Sequence, residues 1–289
     1  MLSIDRFDLY SVVTGLFRLD GGAMFGVVPK VLWAPKCDVD ELNRIRLAMR
    51  TLVAVERGGP GLILVDTGAG SKWSPEEAER YAIEVRPAAI ADHLATLGRA
   101  PADVTDVIVT HLHFDHNGGL CDWVNAPGGE TRLRYPQARH WLHRRQWEHA
   151  ARPYTKDKAS YLARDFAALA ASGVLSLVDG ESPASSLEGV EWFVSHGHTP
   201  YQLLPVFGSP GGRRLLFAGD VIPTSHHLPL PWVMAYDVEP LKTIAEKQRV
   251  YERCGRERFL LAFPHDPVVA GVEVEASSAR VVVREVLEL

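Results

Sequence analysis

The sequence predicts an α/β protein in which two β-sheets lie between layers of helix. Three observations predict it. Short apolar runs with strand character come first, a helical stretch follows, and the same succession returns in the second half. No linker and no low-complexity tract separates the halves, so one domain spanning residues 1–289 is expected. Hydrophobic residues make up 46% of the 289, enough to fill a sizeable core.

Taken in order, Leu9–Val13 and Gly15–Leu19 read as strands separated by a short break. Gly21 and Gly22 open a loop rich in glycine, proline and apolar residues that runs to Pro35. Leu47–Glu56 and Leu62–Asp66 form a predicted hairpin, with Arg57–Gly61 supplying the glycines and proline of its turn. Ser74–Leu97 is expected to be mainly helical, because Ser74 before Pro75 and Glu76 suits an N-cap and Gly98 suits a stop. Val104–Thr110 is long enough only for a buried strand. Residues 134–181 are expected to form a helical insertion, with helices over Leu142–Ala151 and Ala159–Ala171. Strand character returns at Val174–Val178, Val190–Ser195, Leu203–Val206 and Arg214–Ala218. Pro240–Cys254 is a predicted helix closed by Gly255, Phe259–Phe263 a buried strand, and the β-branched tail Ala279–Leu289 a last strand.

Composition narrows the function. The net charge is −5, which does not advertise a grip on nucleic acid. Cys37, Cys121 and Cys254 are odd in number and form no CxxC pair, so neither a disulfide framework nor a thiolate metal site is indicated. The first residues lack a basic segment followed by an apolar one, and no apolar run reaches membrane-spanning length. A cytoplasmic protein with no membrane partner is expected.

The chemical signal lies in the twelve histidines, and in their placement. Directly after the predicted strand Val104–Thr110 comes His111–Leu112–His113–Phe114–Asp115–His116, followed by Asn117–Gly118–Gly119. Four ligand-type side chains in six residues, at i, i+2, i+4 and i+5, do not share a helical stripe. A tight loop at the rigid end of a strand can instead fan them around one centre, and the glycines let the chain turn away.

HLHFDH resembles the HxHxDH signature of the metallo-β-lactamase superfamily. Downstream, Gly197–His198–Thr199–Pro200, Phe217–Ala218–Gly219–Asp220 and Pro264–His265–Asp266–Pro267 resemble the family's later elements, in the expected order, and Leu64–Val65–Asp66–Thr67–Gly68 resembles its early strand-turn. The resemblance implies a four-layer αβ/βα sandwich and a binuclear centre. His111, His113 and His198 would hold one metal, Asp115, His116 and His265 the other, and Asp220 would bridge. Two divalent ions are implied; imidazole and carboxylate suit zinc, with iron and manganese as alternatives. His196 competes with His198, but Gly197 before and Thr199–Pro200 after favour His198. Asp66 is expected to orient the metal loop rather than to ligate.

The implied chemistry is hydrolysis by a hydroxide shared between the metals, with Asp115 passing a proton and Asp220 completing the site. The insertion and the loop Gly22–Trp33 resemble those of N-acyl homoserine lactonase-type members, so a lactone or carboxylic ester is the expected small-molecule substrate. Met24 and Phe25 would line an acyl pocket or a homodimer face. His226 and His227 are further candidates for substrate contact. Alternatives within the fold are β-lactam, thioester or phosphoester hydrolysis, or an iron-dependent oxidoreductase. The sequence departs from the family at two places. Tyr201–Gln202 follow the GHTP element where glycine is common, and Pro223 stands where lactonases often carry a tyrosine.

Overall fold

Apolar residues alternate with polar ones along two long stretches, and these become the frame of the first sheet. The computed structural model describes residues 1–256, 258–276 and 281–289. Strands β1 (Leu2–Ile4), β2 (Phe7–Asp20), β3 (Arg44–Glu56) and β4 (Leu62–Val65) form an antiparallel run. The predicted strands Leu9–Val13 and Gly15–Leu19 are one strand, β2, with a bulge between Val13 and Gly15. The sheet continues in parallel through β6 (Asp106–Ile108), β9 (Arg139–His143) and β10 (Leu175–Val178), while β5 (Glu84–Val85) pairs with β2 and the short pair β7 (Cys121–Trp123) and β8 (Thr131–Leu133) stands apart. The second sheet runs in chain order through β11 (Val190–Ser195), β12 (Gln202–Phe207), β13 (Arg213–Phe217), β14 (Arg258–Ala262), β15 (Gly271–Ala276) and β16 (Val281–Val286).

The helices are α1 (Gly21–Phe25), α2 (Lys30–Trp33), α3 (Pro75–Tyr81), α4 (Ala89–Thr96), α5 (Phe114–Asn117), α6 (Arg144–Ala151), α7 (Ala163–Ala170) and α8 (Pro240–Arg256). Three cores define four layers. Leu9, Leu52 and Val65 of the first sheet pack against Leu203, Phe207 and Phe217 of the second, with Phe7 edge-on to Phe207 at 5.4 Å. The opposite face of the first sheet, including Leu64 and Val107, is covered by Leu94 of α4 and Leu169 of α7. The opposite face of the second, including Val206 and Leu261, is covered by Val250 and Tyr251 of α8. Each fully buried side chain of this size contributes about 1.5–3 kcal/mol, so the two sheets are held chiefly by the shared inner core. Among the described residues, no helix is long and apolar enough to cross a membrane.

Several predicted elements change. The single helix expected over Ser74–Leu97 is two helices. Ser74 does cap α3 in a capping box with Glu77, but Ala82 turns left-handed at φ 45° and Val85 then pairs with Gly15 of β2. Gly15 is required there, because a side chain would collide with the Glu84 carbonyl. The loop Gly21–Pro35 contains α1 and α2, with Asp20 capping α1 through Ala23 N. The helix expected from Leu142 begins at Arg144, since Leu142 and His143 belong to β9. The helix expected over Ala159–Ala171 is confined to α7, and α8 passes Gly255 by one residue. Strand β15 was not predicted, and of the tail predicted over Ala279–Leu289, Ala279 and Arg280 lie outside the described residues.

One buried cation ties the segment after β4 to α7 and to the start of β7. Lys72 donates to the carbonyls of Gly118 and Cys121 and lies 3.2 Å from Asp165 on α7, with both side chains nearly inaccessible. Burial pushes the Asp165 carboxyl up despite the attraction of Lys72. Lys72→Met would leave a buried carboxylate and two carbonyls without their donor. Urea unfolding should report a loss of about 3–5 kcal/mol, and a smaller one when Asp165→Leu is added. Equal losses in the single and double variants would refute the pairing.

Candidate metal centre

The strand directions bring the histidine and aspartate loops together. In the first sheet β4 and β6 are parallel, so Asp66 and Thr110 emerge side by side at their carboxyl ends. In the second, β11, β13 and β14 run the same way, and their carboxyl ends lead to His198, Asp220 and His265. Sites in α/β folds are commonly built at such strand ends. The stretch after β6 is not the plain loop that was expected. His113 is the N-cap of α5, and Asp115 and His116 ride on that single helical turn. Gly118 and Gly119 serve less to turn the chain than to let it approach, since a side chain on either would strike the carbonyl of Ala69 or of Thr67.

Ligand-type atoms of His111, His113 and His198 lie within 4.8 Å of one another, as do those of His111, His116 and Asp220, and those of Asp115, His116 and His265. The Asp220 carboxylate stands between the sets. Its Oδ2 is 3.2 Å from His198 Nε2, and its Oδ1 is 3.1 Å from His116 Nε2 and 3.2 Å from His265 Nε2. Asp115 Oδ2 is 3.5 Å from His265 Nε2. All seven side chains are buried.

The outward ring atoms show what the inward ones are for. His116 Nδ1 meets Asp66 Oδ2 at 2.9 Å, His198 Nδ1 meets Asp237 Oδ1 at 3.0 Å, and His265 Nδ1 donates to the Ala48 carbonyl at 2.8 Å. His111 Nδ1 lies 3.0 Å from Thr110 Oγ1, which itself donates to Asp66. In a neutral ring whose Nδ1 proton is directed outward, Nε2 presents a lone pair inward. Ring nitrogens face one another, at 3.1 Å between His198 Nε2 and His113 Nδ1 and at 2.9 Å between His265 Nε2 and His116 Nε2, while His113 Nε2 has no hydrogen-bond partner among the described residues. His111 Nε2 and Asp220 Oδ1 are buried without a hydrogen-bond partner among the described residues. Converging acceptors lacking donors fit divalent cations.

The protein's own charges reflect this crowding. Burial, then neighbouring histidines, hold His111 and His113 well below the usual imidazole range. Burial opposes a charge on His116 and His198 too, but Asp220 outweighs it, helped by Asp115 at His116 and Asp237 at His198. Asp220 is correspondingly held well below the carboxylate range against its own burial, by His116, His198 and His265.

The supporting groups divide into those with a local signature and those without. Asp66 accepts from Thr110 N, Thr110 Oγ1 and Asn117 Nδ2, besides meeting His116. Asp237 and Glu246 were missed by sequence reasoning. Glu246 on α8 accepts from Ser195 Oγ, His196 N and Gly197 N and so shapes the loop that carries His198. The two departures after the GHTP element also find places. Tyr201 is left-handed at φ 59°, stacked on His143 at 4.6 Å, and Gln202 Oε1 accepts from Asp220 N at 2.9 Å.

A cavity of about 260 Å³ opens over the cluster, with His113, Asp115, His198, Asp220 and His265 on its floor. Leu19, Met24, Phe114 and Met234 make apolar wall, with Tyr81 and Tyr236 beside them. Met24 lies on that wall; Phe25, His226 and His227 do not, which corrects three candidates. Phe25 and His226 line a separate cavity of about 590 Å³. His227 is fully buried, with Nδ1 on Thr224 Oγ1, Nε2 on the Met24 carbonyl and its ring stacked on Phe25 at 4.7 Å, so no nitrogen remains for a ligand. His196 points away to Glu181 at 2.8 Å.

Comparison with known proteins bears on this centre. Residues 50–270 match the metallo-beta-lactamase superfamily. The chain is 28% identical over 147 residues to a probable metallo-hydrolase of Mycobacterium bovis, covering 42% of this chain and 47% of that protein. It is 27% identical over 176 residues to the N-acyl homoserine lactonase AttM of Azorhizobium caulinodans, covering 59% of this chain and 61% of that one. The chain thus spans about half to three-fifths of the length of these curated relatives. Among solved structures, a probable metal-dependent hydrolase from Staphylococcus aureus is similar with a TM-score of 0.84 at 26% identity, over 99% of this chain and 100% of that one. AidC, a dizinc quorum-quenching lactonase solved with its product N-hexanoyl-L-homoserine, is similar with a TM-score of 0.75 at 16% identity, over 98% and 95%, a likeness of fold.

Metal binding should separate neighbouring groups. His198→Ala should lose metal, whereas His196→Ala should retain nearly all of it, as measured by elemental analysis of protein purified in parallel. Asp66→Ala and Asp237→Ala should each weaken zinc affinity by about 10–100-fold in competition with a chromogenic chelator. Equal metal loss in the His196 and His198 variants would show that the loop presents both rings.

Proposed function

Because the chain belongs to the metallo-beta-lactamase superfamily, we propose that it is a binuclear metal-dependent hydrolase that cleaves lactones or carboxylic esters. The observation that carries this is the placement of seven buried histidine and aspartate ligands beneath a small cavity with largely apolar walls. In this reading His111, His113 and His198 hold one divalent ion and Asp115, His116 and His265 the other, with Asp220 shared; zinc suits this donor set. Such ions supply a Lewis acid for a carbonyl oxygen and water acidified to near-neutral pH.

The chain's own residues do the rest. Leu19, Met24, Phe114 and Met234 offer an acyl group an apolar wall, the common pattern of small-molecule sites. Asp115 is 9% exposed, lies on the cavity floor and can hold a proton on its carboxylate before handing it to the leaving oxygen. Pro223 has no hydroxyl to offer, and its carbonyl accepts from His265 N. A phenol reaches the cavity from another loop instead. Burial, then Asp20, Tyr81 and Asp115, push Tyr236 up to about 12, which keeps it a protonated donor at neutral pH.

Charge supports an ester over a phosphodiester. Apart from histidines, the cation on the cavity wall is Lys156, and its Nζ already donates to the Ala235 carbonyl at 2.8 Å. A polymeric phosphodiester needs a basic track, and the chain carries a net charge of −5. The AttM and AidC likenesses lean the same way, since those proteins are lactonases by name.

The test is one preparation with two metals per chain, assayed on an acyl lactone, an aryl ester and bis-nitrophenyl phosphate. The lactone or ester should exceed the phosphodiester in kcat/KM by at least about tenfold. A chelator should abolish turnover and zinc should restore it. Faster phosphodiester cleavage would refute the substrate class, and full activity with one metal and an intact His116→Ala variant would refute the binuclear reading.

A further inference from the structure

After Asp220 the chain runs through Leu228–Pro229–Leu230–Pro231–Trp232 before it reaches Met234 and Tyr236 on the cavity wall. The two prolines remove two N–H donors and the stretch joins neither helix nor sheet, so its carbonyls need donors from elsewhere. One side chain supplies most of them. Lys247, fully buried on α8, donates from Nζ to the carbonyls of His227 at 2.5 Å, Pro229 at 2.7 Å, Trp232 at 2.9 Å and Leu230 at 3.3 Å. Tyr251, one turn further along α8, donates to the Leu228 carbonyl between them.

Asp237 attracts this ammonium without pairing with it, and Lys247 has no ion pair among the described residues. Its charge is met by carbonyl dipoles, as proteins hold a potassium ion. Burial pulls Lys247 down to about 7 against the attraction of Asp237. The carbonyls oppose that loss, because they only accept and an ammonium only donates. Further on, the chain is fastened separately, with Val238 N and Glu239 N donating to the carbonyls of His198 and Gly197 at 3.0 and 2.8 Å. Residues 233–236 hang between the two fastenings and touch α1 where Ala235 N donates to the Ala23 carbonyl at 2.8 Å. The cage therefore ends before the contacts that serve His198, and the stretch it holds leads directly to Met234 and Tyr236.

We propose that Lys247 is a positioning residue for the substrate: its ammonium acts as a built-in monovalent cation that gathers the carbonyls of residues 227–232 and so fixes where Met234 and Tyr236 stand against a bound acyl group. As to the substrate this rests on the proposed hydrolase reading; the cage itself does not. Removing the charge frees the wall without touching a candidate metal ligand. Contacts made equally in the ground and transition states are then lost, which raises KM and leaves kcat. The emptied cage remains a ring of carbonyls that an ion of ammonium or potassium size can enter.

The experiment compares zinc-loaded wild type with Lys247→Ala and Lys247→Met in tetramethylammonium chloride, whose cation is too large for the cage, and again in ammonium or potassium chloride at the same ionic strength. Three quantities are read: zinc content, hydrogen exchange over residues 228–236 by mass spectrometry, and kcat and KM on an acyl lactone and an aryl ester. In tetramethylammonium both variants should keep the zinc content of the wild type. Their exchange over 228–236 should be at least about tenfold faster. Their KM should rise roughly tenfold with kcat within about threefold. Ammonium or potassium should restore protection and KM in Lys247→Ala, where the space is empty, and not in Lys247→Met, where methionine fills it. Wild-type exchange and KM in Lys247→Met would show that the charge is not used and would overturn the proposal. So would zinc loss in step with KM, a fall in kcat alone, or a Lys247→Ala protein that both ions leave unrestored or unfolded. If the wild type turns over a lactone and the variants match it in KM, only this proposal falls; if the wild type turns over neither lactone nor ester, the hydrolase reading fails and takes the substrate role of Lys247 with it.

Discussion

The centre depends on one saturated carboxylate. Asp66 follows β4 in a left-handed conformation at φ 57°, which a residue with a side chain adopts only when its surroundings impose it. Here they do. Four donors from three residues converge on its two oxygens, and one of them is the Nδ1 of His116. Asn117, held by the same carboxylate, also donates to the His111 carbonyl at 2.6 Å. The stretch His111–Asn117 therefore has little freedom left. Removing Asp66 would cost more than one contact, because each buried donor would lose its acceptor at once.

The second half of the fold solves the same problem differently. Among the described residues, no single group organises His198, Asp220 and His265. Asp237 orients the first, Gln202 holds the backbone of the second, and the Ala48 carbonyl from the first sheet orients the third. Arg50 joins in by donating to the Asp266 carbonyl, next to His265. The supports come from distant parts of the chain, so the site's rigidity is a property of the packed sheets rather than of any loop.

That division explains what could be read from the letters. The ligand stretch His111–His116 is legible because four ligand types crowd into six residues beside a strand. Asp66 is legible because it ends a strand in a recognisable strand-turn. Asp237 and Glu246 carry no local pattern; an acidic residue in a loop or on a helix looks the same whether it is solvated or buried against a histidine or a backbone N–H. His227 misleads for the opposite reason. Two adjacent loop histidines suggest accessible chemistry, yet stacking on Phe25 and two hydrogen bonds absorb that ring entirely. In the fold, periodicity reveals the long strands, while the stretch after Ser74 is misread because pairing of β5 with β2 overrides helix propensity there. Likewise β9 hides within helix-forming residues, since its burial between β6 and β10 is a long-range fact.

The candidate ligands are shared between the two sheets. His111, His113, Asp115 and His116 follow β6 of one, whereas His198, Asp220 and His265 follow strands of the other. Neither sheet alone offers the full set, so the affinity for ions and the docking of the sheets are linked functions of one equilibrium. An ion held by both sets would act as a removable crosslink between halves of the molecule. Its concentration then enters the folding free energy logarithmically, by RT ln(1 + [L]/Kd) for each such ion. Stripping the ion would then loosen the docking of the sheets as well as empty the site.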